Sequence, residues 1–452
     1  MFPQKRYPLA ARAALGAWLL LAAAAAGAQV AGQVEFSRGV GFAQTAGQTP
    51  RTLGQGLDLR EGDRLTTSDG GSAIIKMQDG TRMTVRPNSE LVISQYQFKE
   101  NANDNGMVMQ LVRGGFRAVT GLISKSSPNA ARVQTSTATI GIRGTDFDAR
   151  VCTRECGQES QQLAAAVARP NTVVASAKIA NAVGEVFALD TAGQRRRLVE
   201  GGSIYPGDVV ETLPGARAVL AFRDDSRVSV GSNSRFRVDN FVYDEKNAGE
   251  GRFLASILRG SVRALTGLIA KADNRNASFS TATATIGIRG TGFDAVCEDA
   301  SCNNVTLWTW LGSIAVTPQG TTALQLLQSG QGLFISPQGI QPVLNAPPMG
   351  DNARPDTVNI PPKLFGNQEV SDAQEGLFVF VRDGHIEIAT ANQVLQLGKG
   401  EAGFAGNNGD TARPNNIPKF IDFDKIPLPN SKNPLLVSVL ADAGVKQQNQ
   451  CK

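Results

Sequence analysis

Histidine occurs once in 452 residues, as His385. A proton shuttle or metal centre built on imidazoles therefore has a single residue to draw on. That histidine sits beside Asp383-Gly384 and is expected in a surface turn between two strands. Nucleophile elbows, H-E-x-x-H helices and phosphate-cradling loops are missing too. Carboxylates cluster at Asp244-Glu245 and Glu298-Asp299, where acids in turns are the simpler reading. The expected function is accordingly non-enzymatic, with no catalytic residue, no cofactor and no metal site.

Long apolar runs are equally scarce. One, Ala13 to Ala25, follows Lys5, Arg6 and Arg12 and precedes Ala26-Gly27-Ala28. This is the pattern of a cleaved leader, and the run falls short of the ~20 residues that span a bilayer. The expectation is export and cleavage near Ala28, a periplasmic or secreted location and no membrane-spanning segment. Neither sign of charge dominates the remainder, with 42 basic residues against 40 acidic. Nucleic acid is not an expected partner.

Cysteine is limited to five residues: Cys152 and Cys156, Cys297 and Cys302, and Cys451. In an exported chain the two close pairs are expected as disulfides, each stapling the tip of an equivalent hairpin.

What the chain has in plenty is glycine, at 48 residues, and repetition. The nonapeptide TATIGIRGT occurs at Thr137 to Thr145 and again at Thr283 to Thr291. A shift of 145 aligns Phe42 with Phe187, Gly62-Asp63 with Gly207-Asp208 and Asp79 with Asp224. After one added residue, a shift of 146 aligns Arg113-Gly114 with Arg259-Gly260 and Thr120 to Ile123 with Thr266 to Ile269. Two tandem modules of one fold follow. Near the C-terminus, Gly384 to Ile388 with Gly400 to Phe404 echoes Gly312 to Val316 with Gly330 to Phe334, a recurring hairpin that closes a module or opens the next.

Within each copy short alternating strands are separated by turn residues, as in Ala73 to Met77, Asp79-Gly80 and Arg82 to Val85. The fold class is all-β: two hairpin-rich modules, stacked as a solenoid or a sandwich, plus a third partial β unit. Because the modules run on through a shared hairpin, a solenoid-like stack is favoured. The expected divisions are a leader at 1–28, modules at 29–157 and 181–345, linkers at 158–180 and 346–372, a partial hairpin unit at 373–410, and a tail at 411–452. Glu159 to Arg169 has helical composition, the second linker is proline-rich, and Leu435 to Leu440 is the apolar stretch of the tail.

The ordered blocks G-D-x-[LV]-x-T (Gly62 to Thr67, Gly207 to Thr212), PNSEL (Pro87 to Leu91), LVRGGFRAVTGLI (Leu111 to Ile123) and TATIGIRGTDF resemble the FecR domain of bacterial envelope proteins, in two copies over residues 34–334. Founding members of that family receive a signal from an outer-membrane iron transporter and pass it inward to a sigma factor. This chain lacks the membrane helix of that plan. The resemblance implies a β-rich domain acting by contact with another envelope component, either an envelope protein such as an outer-membrane receptor or cell-wall glycan. A sensor or adaptor is one reading and a structural spacer of the wall or surface is the other. A hydrolase using paired acids ranks last.

Two sets of residues stand out as sites. Arg143, Gly144 and Thr145, with Arg289, Gly290 and Thr291, form the repeated signature. Each arginine must either point to solvent or find carboxylate and carbonyl partners, with Asp146, Asp148 and Asp294 nearby in sequence, and is expected as a strut tying a strand to a turn. Trp308 and Trp310 share one face of a strand, opposite Leu307 and Leu311, and are the candidate binding strip.

Overall fold

A computed structural model describes residues 29–100, 104–126, 130–193, 195–361 and 364–431. The expected leader, Leu435 to Leu440 and Cys451 lie outside these residues.

The second copy shows the architecture most plainly. Among the described residues it forms two nine-stranded sheets. One includes Ala177–Val183, Arg217–Phe222, Arg227–Val230, Ser261–Leu265, Gly292–Cys297 and Val305–Leu311. The other includes Val186–Leu189, Val209–Thr212, Arg235–Val242, Arg252–Arg259, Ala284–Ile288 and Ser313–Pro318. Alternation along each strand sends one set of side chains inward, so Val228, Val262, Phe293 and Leu307 of the first sheet share a single core with Val210, Phe236, Phe253 and Phe279 of the second. Phe279 meets Phe293 edge-on at 5.2 Å, tying the layers together. The module is a sandwich with one core between facing sheets, and the solenoid-like stack favoured by sequence is set aside.

The sheets are joined by strands that turn a corner. Arg252–Arg259 continues as Ser261–Leu265 across Gly260, Ala284–Ile288 as Gly292–Cys297 across Gly290, and Val305–Leu311 as Ser313–Pro318 across Gly312. All three glycines have positive φ, +79°, +67° and +68°. Residues with a Cβ avoid that region, which is why the corner carries glycine. In the first copy Gly114, Gly144 and Gly384 turn the same corners inside the unbroken strands Gly106–Val119, Ala138–Cys152 and Gly376–Thr390. The two faces are consequently continuous there, as one fifteen-stranded sheet among the described residues.

The segment 373–410 is built into this first sandwich. Gly376–Thr390 pairs antiparallel along Ala138–Cys152, from Ala138 opposite Thr390 to Cys152 opposite Gly376. Its Leu377, Val379, Ile386 and Ile388 enter the first core. Val305–Leu311 and Ser313–Pro318 occupy the corresponding place in the second copy. The chain thus leaves the first sandwich after Cys152, builds the second, and returns to add strands to the first.

The connecting segments pack against the sandwiches. A helix at Arg154–Gln162 starts five residues before the expected one, anchored by the Cys152–Cys156 disulfide. Val358, Ile360, Leu364 and Phe365 of the proline-rich stretch cover Ala180, Val219 and Ala221 on the outside of the second sandwich. The described part of the tail, to residue 431, packs on the first, with Phe420 and Ile421 of Lys419–Asp422 buried beside Phe378 and Phe404.

Candidate binding surfaces and the seam between the sandwiches

The repeated signature is a corner staple. The backbone N–H of Thr145 donates to Thr120 Oγ1 at 2.7 Å, and Thr145 Oγ1 donates to the carbonyl of His385 at 3.0 Å. Thr291 repeats both bonds, to Thr266 Oγ1 at 2.9 Å and to the Ser313 carbonyl at 2.7 Å. Each threonine pins three corner-turning strands together at the point where the glycine bends the chain. Two further repeated residues brace the hairpins. Asp79 accepts from Thr81 and the Ile123 N–H, and Asp224 accepts from Ser226 and the Ile269 N–H.

The two signature arginines differ in environment. Arg143 is half-buried between the sandwiches and donates through Nη1 to the Arg197 carbonyl at 3.0 Å, with Glu387 3.7 Å away. Burial lowers its pKa, the Glu387 charge opposes this, and Arg197 adds to the lowering. Arg289 is exposed and forms no ion pair among the described residues. The acids near them in sequence are engaged elsewhere: Asp146 by Arg117, Asp148 by Arg86 and Arg382, and Asp294 by Arg263.

A cavity of about 770 Å³ opens at the seam around Arg143. The first sandwich contributes Lys125, Gly144, Gly384 and His385, and the second Phe187, Arg195 to Arg197, Tyr205 and Asp208. Its cations are largely neutralised already. Arg196 pairs with Asp208, Lys399 with Asp383 at 3.1 Å, and Arg195 lies 3.5 Å over the Phe187 ring and pairs with Glu211 at 3.2 Å. His385 is not in a surface turn. It is buried within Gly376–Thr390, opposite Arg143 in register, because Asp383-Gly384 is a sheet corner and not a hairpin end. Burial depresses its pKa to about 3, Nε2 lies 2.5 Å from Gln396 Oε1, and Arg143, Arg196 and Lys178 add to the depression. An almost fully buried imidazole whose pKa is pushed far below neutrality makes a poor proton shuttle.

Deeper in the seam lies a cluster that sequence reasoning missed. Lys178 Nζ contacts Glu401 at 3.1 and 3.2 Å, and neither side chain is exposed. Arg413 Nε donates to the same carboxylate at 3.0 Å. Burial raises the Glu401 pKa, but the two cations outweigh it and hold the carboxyl below its usual range. The signal was available in the repeat: Lys178 replaces Gln33 at an otherwise matching position, and a lysine gained on a buried strand needs a counter-charge.

Trp308 and Trp310 share one face of their strand, as expected, and that face is half-exposed, but Trp310 is occupied. Its Nε1 donates to Asp294 at 2.9 Å, and the Arg354 guanidinium of the proline-rich stretch covers its ring at 4.4 Å. Trp308 stands beside Gly332, where a Cβ would approach the indole to 2.7 Å. Both expected disulfides, Cys152–Cys156 and Cys297–Cys302, are formed. The clustered acids serve turns: Asp299 accepts from the N–H groups of Ser301, Asn303 and Asn304, Asp244 from that of Lys246, and Glu298 from Thr306. No helix among the described residues is long and apolar enough to cross a membrane.

These features define a tandem, corner-turning β-sandwich whose polar side chains chiefly hold the fold. Residues 63–169 and 208–314 each match the model of the family described as FecR protein, one match on each tandem copy. No curated protein matches the chain. Two crystal structures, each described as a "putative anti-sigma factor" from Parabacteroides distasonis ATCC 8503, are similar at 14% and 12% identity. The first alignment covers 30% of this chain and 58% of that one with a TM-score of 0.24, and the second covers 52% and 72% with a TM-score of 0.16. At those scores neither likeness defines the fold.

Proposed function

We propose that this chain is a FecR-like regulator or adaptor of the bacterial envelope that acts by binding another envelope macromolecule and not by catalysis. The observation that carries this reading is the tandem FecR match over regions whose buried carboxylates hold arginines, as Asp148 and Asp294 do, or brace hairpins, as Asp79 and Asp224 do. Two close disulfides suit an oxidising compartment and support export, as does the leader pattern at 1–28. An outer-membrane receptor is the favoured partner. The Trp308 face and the seam cleft are the surfaces on which it would be sought.

A structural spacer is the second reading. It is favoured by the buried Lys178, Glu401 and Arg413 cluster, which locks two sandwiches into one body. In-cell crosslinking of the exported chain, followed by mass spectrometry, separates the two. Reproducible capture of one receptor supports the regulator or adaptor, whereas wall fragments without a receptor support the spacer. Crosslinks between copies of the chain count for neither reading.

A further inference from the structure

The internal seam joins one end of the first sandwich to one flank of the second. Because the sandwiches are copies, each surface exists a second time. The counterpart of the docked end, on the second sandwich, carries Lys271, Arg289 and Gln331 where the first has Lys125, Arg143 and Glu401. The counterpart of the docked flank, on the first sandwich, carries Gln33, Phe42 and Thr52 where the second has Lys178, Phe187 and Arg197. Strand register confirms the alignment: Gln33 lies opposite Asp58 and Lys76 as Lys178 lies opposite Ser203 and Ala221.

Among the described residues both counterpart surfaces are open. Lys271, Arg289, Gln331, Gln33 and Thr52 are all exposed, and so is Phe42 at 42%. Leu326, which stands where the seam has Gln396, is 46% exposed. The chemistry at the two open surfaces is matched. Inside the seam, Lys178 and Glu401 form a fully buried ion pair. On the open surfaces both members are changed together, to Gln33 and Gln331. A glutamate left alone at 331 would place an unpaired charge in a second seam, whereas Gln33, whose Nε2 donates to Asp58 and the Gly56 carbonyl, keeps its Oε1 to accept from the Gln331 amide. Arg143 donates to the Arg197 carbonyl, and Arg289 has the Thr52 carbonyl as its equivalent target.

We propose that the open end of the second sandwich docks on the open flank of the first sandwich of another copy, repeating the internal seam so that the chain assembles head to tail. The occupant is a second copy of this chain, identified by continuity with the seam it already forms within itself. The contact uses different surfaces on the two partners, so repeating it yields a filament, or a ring if the rotation closes. This inference stands apart from which envelope partner the chain engages.

The test is sedimentation velocity over a concentration series, on the chain purified from the envelope of an expressing cell, with Gln33→Lys and Gln331→Glu as variants. Both positions are exposed, so the fold should persist, which is checked by an unchanged melting temperature. The wild-type mass should climb past that of a dimer with concentration. Gln331→Glu alone should associate roughly tenfold or more weakly, since it sets a carboxylate against Gln33 and the neighbouring Asp58, and Gln33→Lys alone should also associate more weakly, since its charge meets the Gln331 amide. An equimolar mixture should regain assembly, because the lysine introduced in one variant would then meet the glutamate introduced in the other, as Lys178 meets Glu401. A monomer at every concentration would overturn the proposal. So would assembly indifferent to both substitutions, or a mixture no stronger than its parts.

Discussion

Lys178 and Glu401 are 223 residues apart in sequence and form an ion pair from which solvent is excluded on both sides. Lys178 belongs to the second sandwich, and Glu401 to the hairpin that returns to complete the first. The pair therefore fixes the relative placement of the two bodies as well as the path of the chain between them. Its two sides are unequal: Glu401 has a second cation in Arg413, whereas Lys178 has no other carboxylate partner among the described residues.

That inequality orders two substitutions. Glu401→Gln removes the carboxylate that both buried cations share and should cost about 3–5 kcal/mol. Lys178→Met leaves Glu401 still paired with Arg413 and should cost clearly less. Chemical denaturation of the two variants side by side measures the order. Equal losses would mean that Arg413 does not serve Glu401 in solution.

Arg143 and Arg289 occupy the same place in the repeat but not the same environment. Arg143→Ala removes a charge-assisted bond to the Arg197 carbonyl across the seam and should lower stability by about 1–3 kcal/mol. Arg289→Ala removes an exposed side chain and should stay within about 0.5 kcal/mol of the parent. Thermal melts at a protein concentration low enough to suppress self-association check both values.

The contrast shows what was legible in sequence. The duplication, the strand alternation and the disulfides follow from local spacing and were readable. The partners of Arg143 were not. Three acids lie within five residues of Arg143 or Arg289, yet the turn at Gly144 aims Arg143 at a carbonyl 54 residues away. His385 was misplaced for a related reason. Asp-Gly chemistry marks a hairpin turn and a sheet corner alike, and only the pairing of Ala138–Cys152 with Gly376–Thr390 distinguishes them. The solenoid expectation failed because alternation reports that a strand has one apolar face but not what that face meets.

The corner glycines should differ in their tolerance of a methyl group. At Gly144, with φ +60°, a Cβ would meet nothing closer than Lys125 Cγ at 3.6 Å, so Gly144→Ala costs only backbone strain of about 1–2 kcal/mol. At Gly384, with φ +88°, the same atom would lie 2.3 Å from the Gly144 carbonyl oxygen and 3.0 Å from Thr145 Cα. Gly384→Ala should therefore be the more damaging, displacing the strand that completes the first sandwich. Denaturation midpoints rank the pair, and comparable midpoints would show that the corner relaxes.

The last prediction concerns acid. In the folded chain the His385 pKa is depressed from its ordinary 6.5 to about 3, chiefly by burial, with Arg143, Arg196 and Lys178 nearby and only the Gln396 contact opposing. Between those values the unfolded chain binds a proton that the folded chain refuses, so stability falls as pH is lowered through this window. Above pH 6.5 the residue is neutral in both states and contributes no pH dependence. The loss across the window should be of order 4 kcal/mol. Carboxylates titrate in the lower part of the same range, so the informative quantity is the difference between the parent and His385→Gln, whose neutral side chain cannot take up the proton. The variant should gain on the parent steadily as pH drops from 6.5. A constant difference across the range would mean that the folded seam admits the imidazolium, and that His385 is less enclosed than its burial indicates.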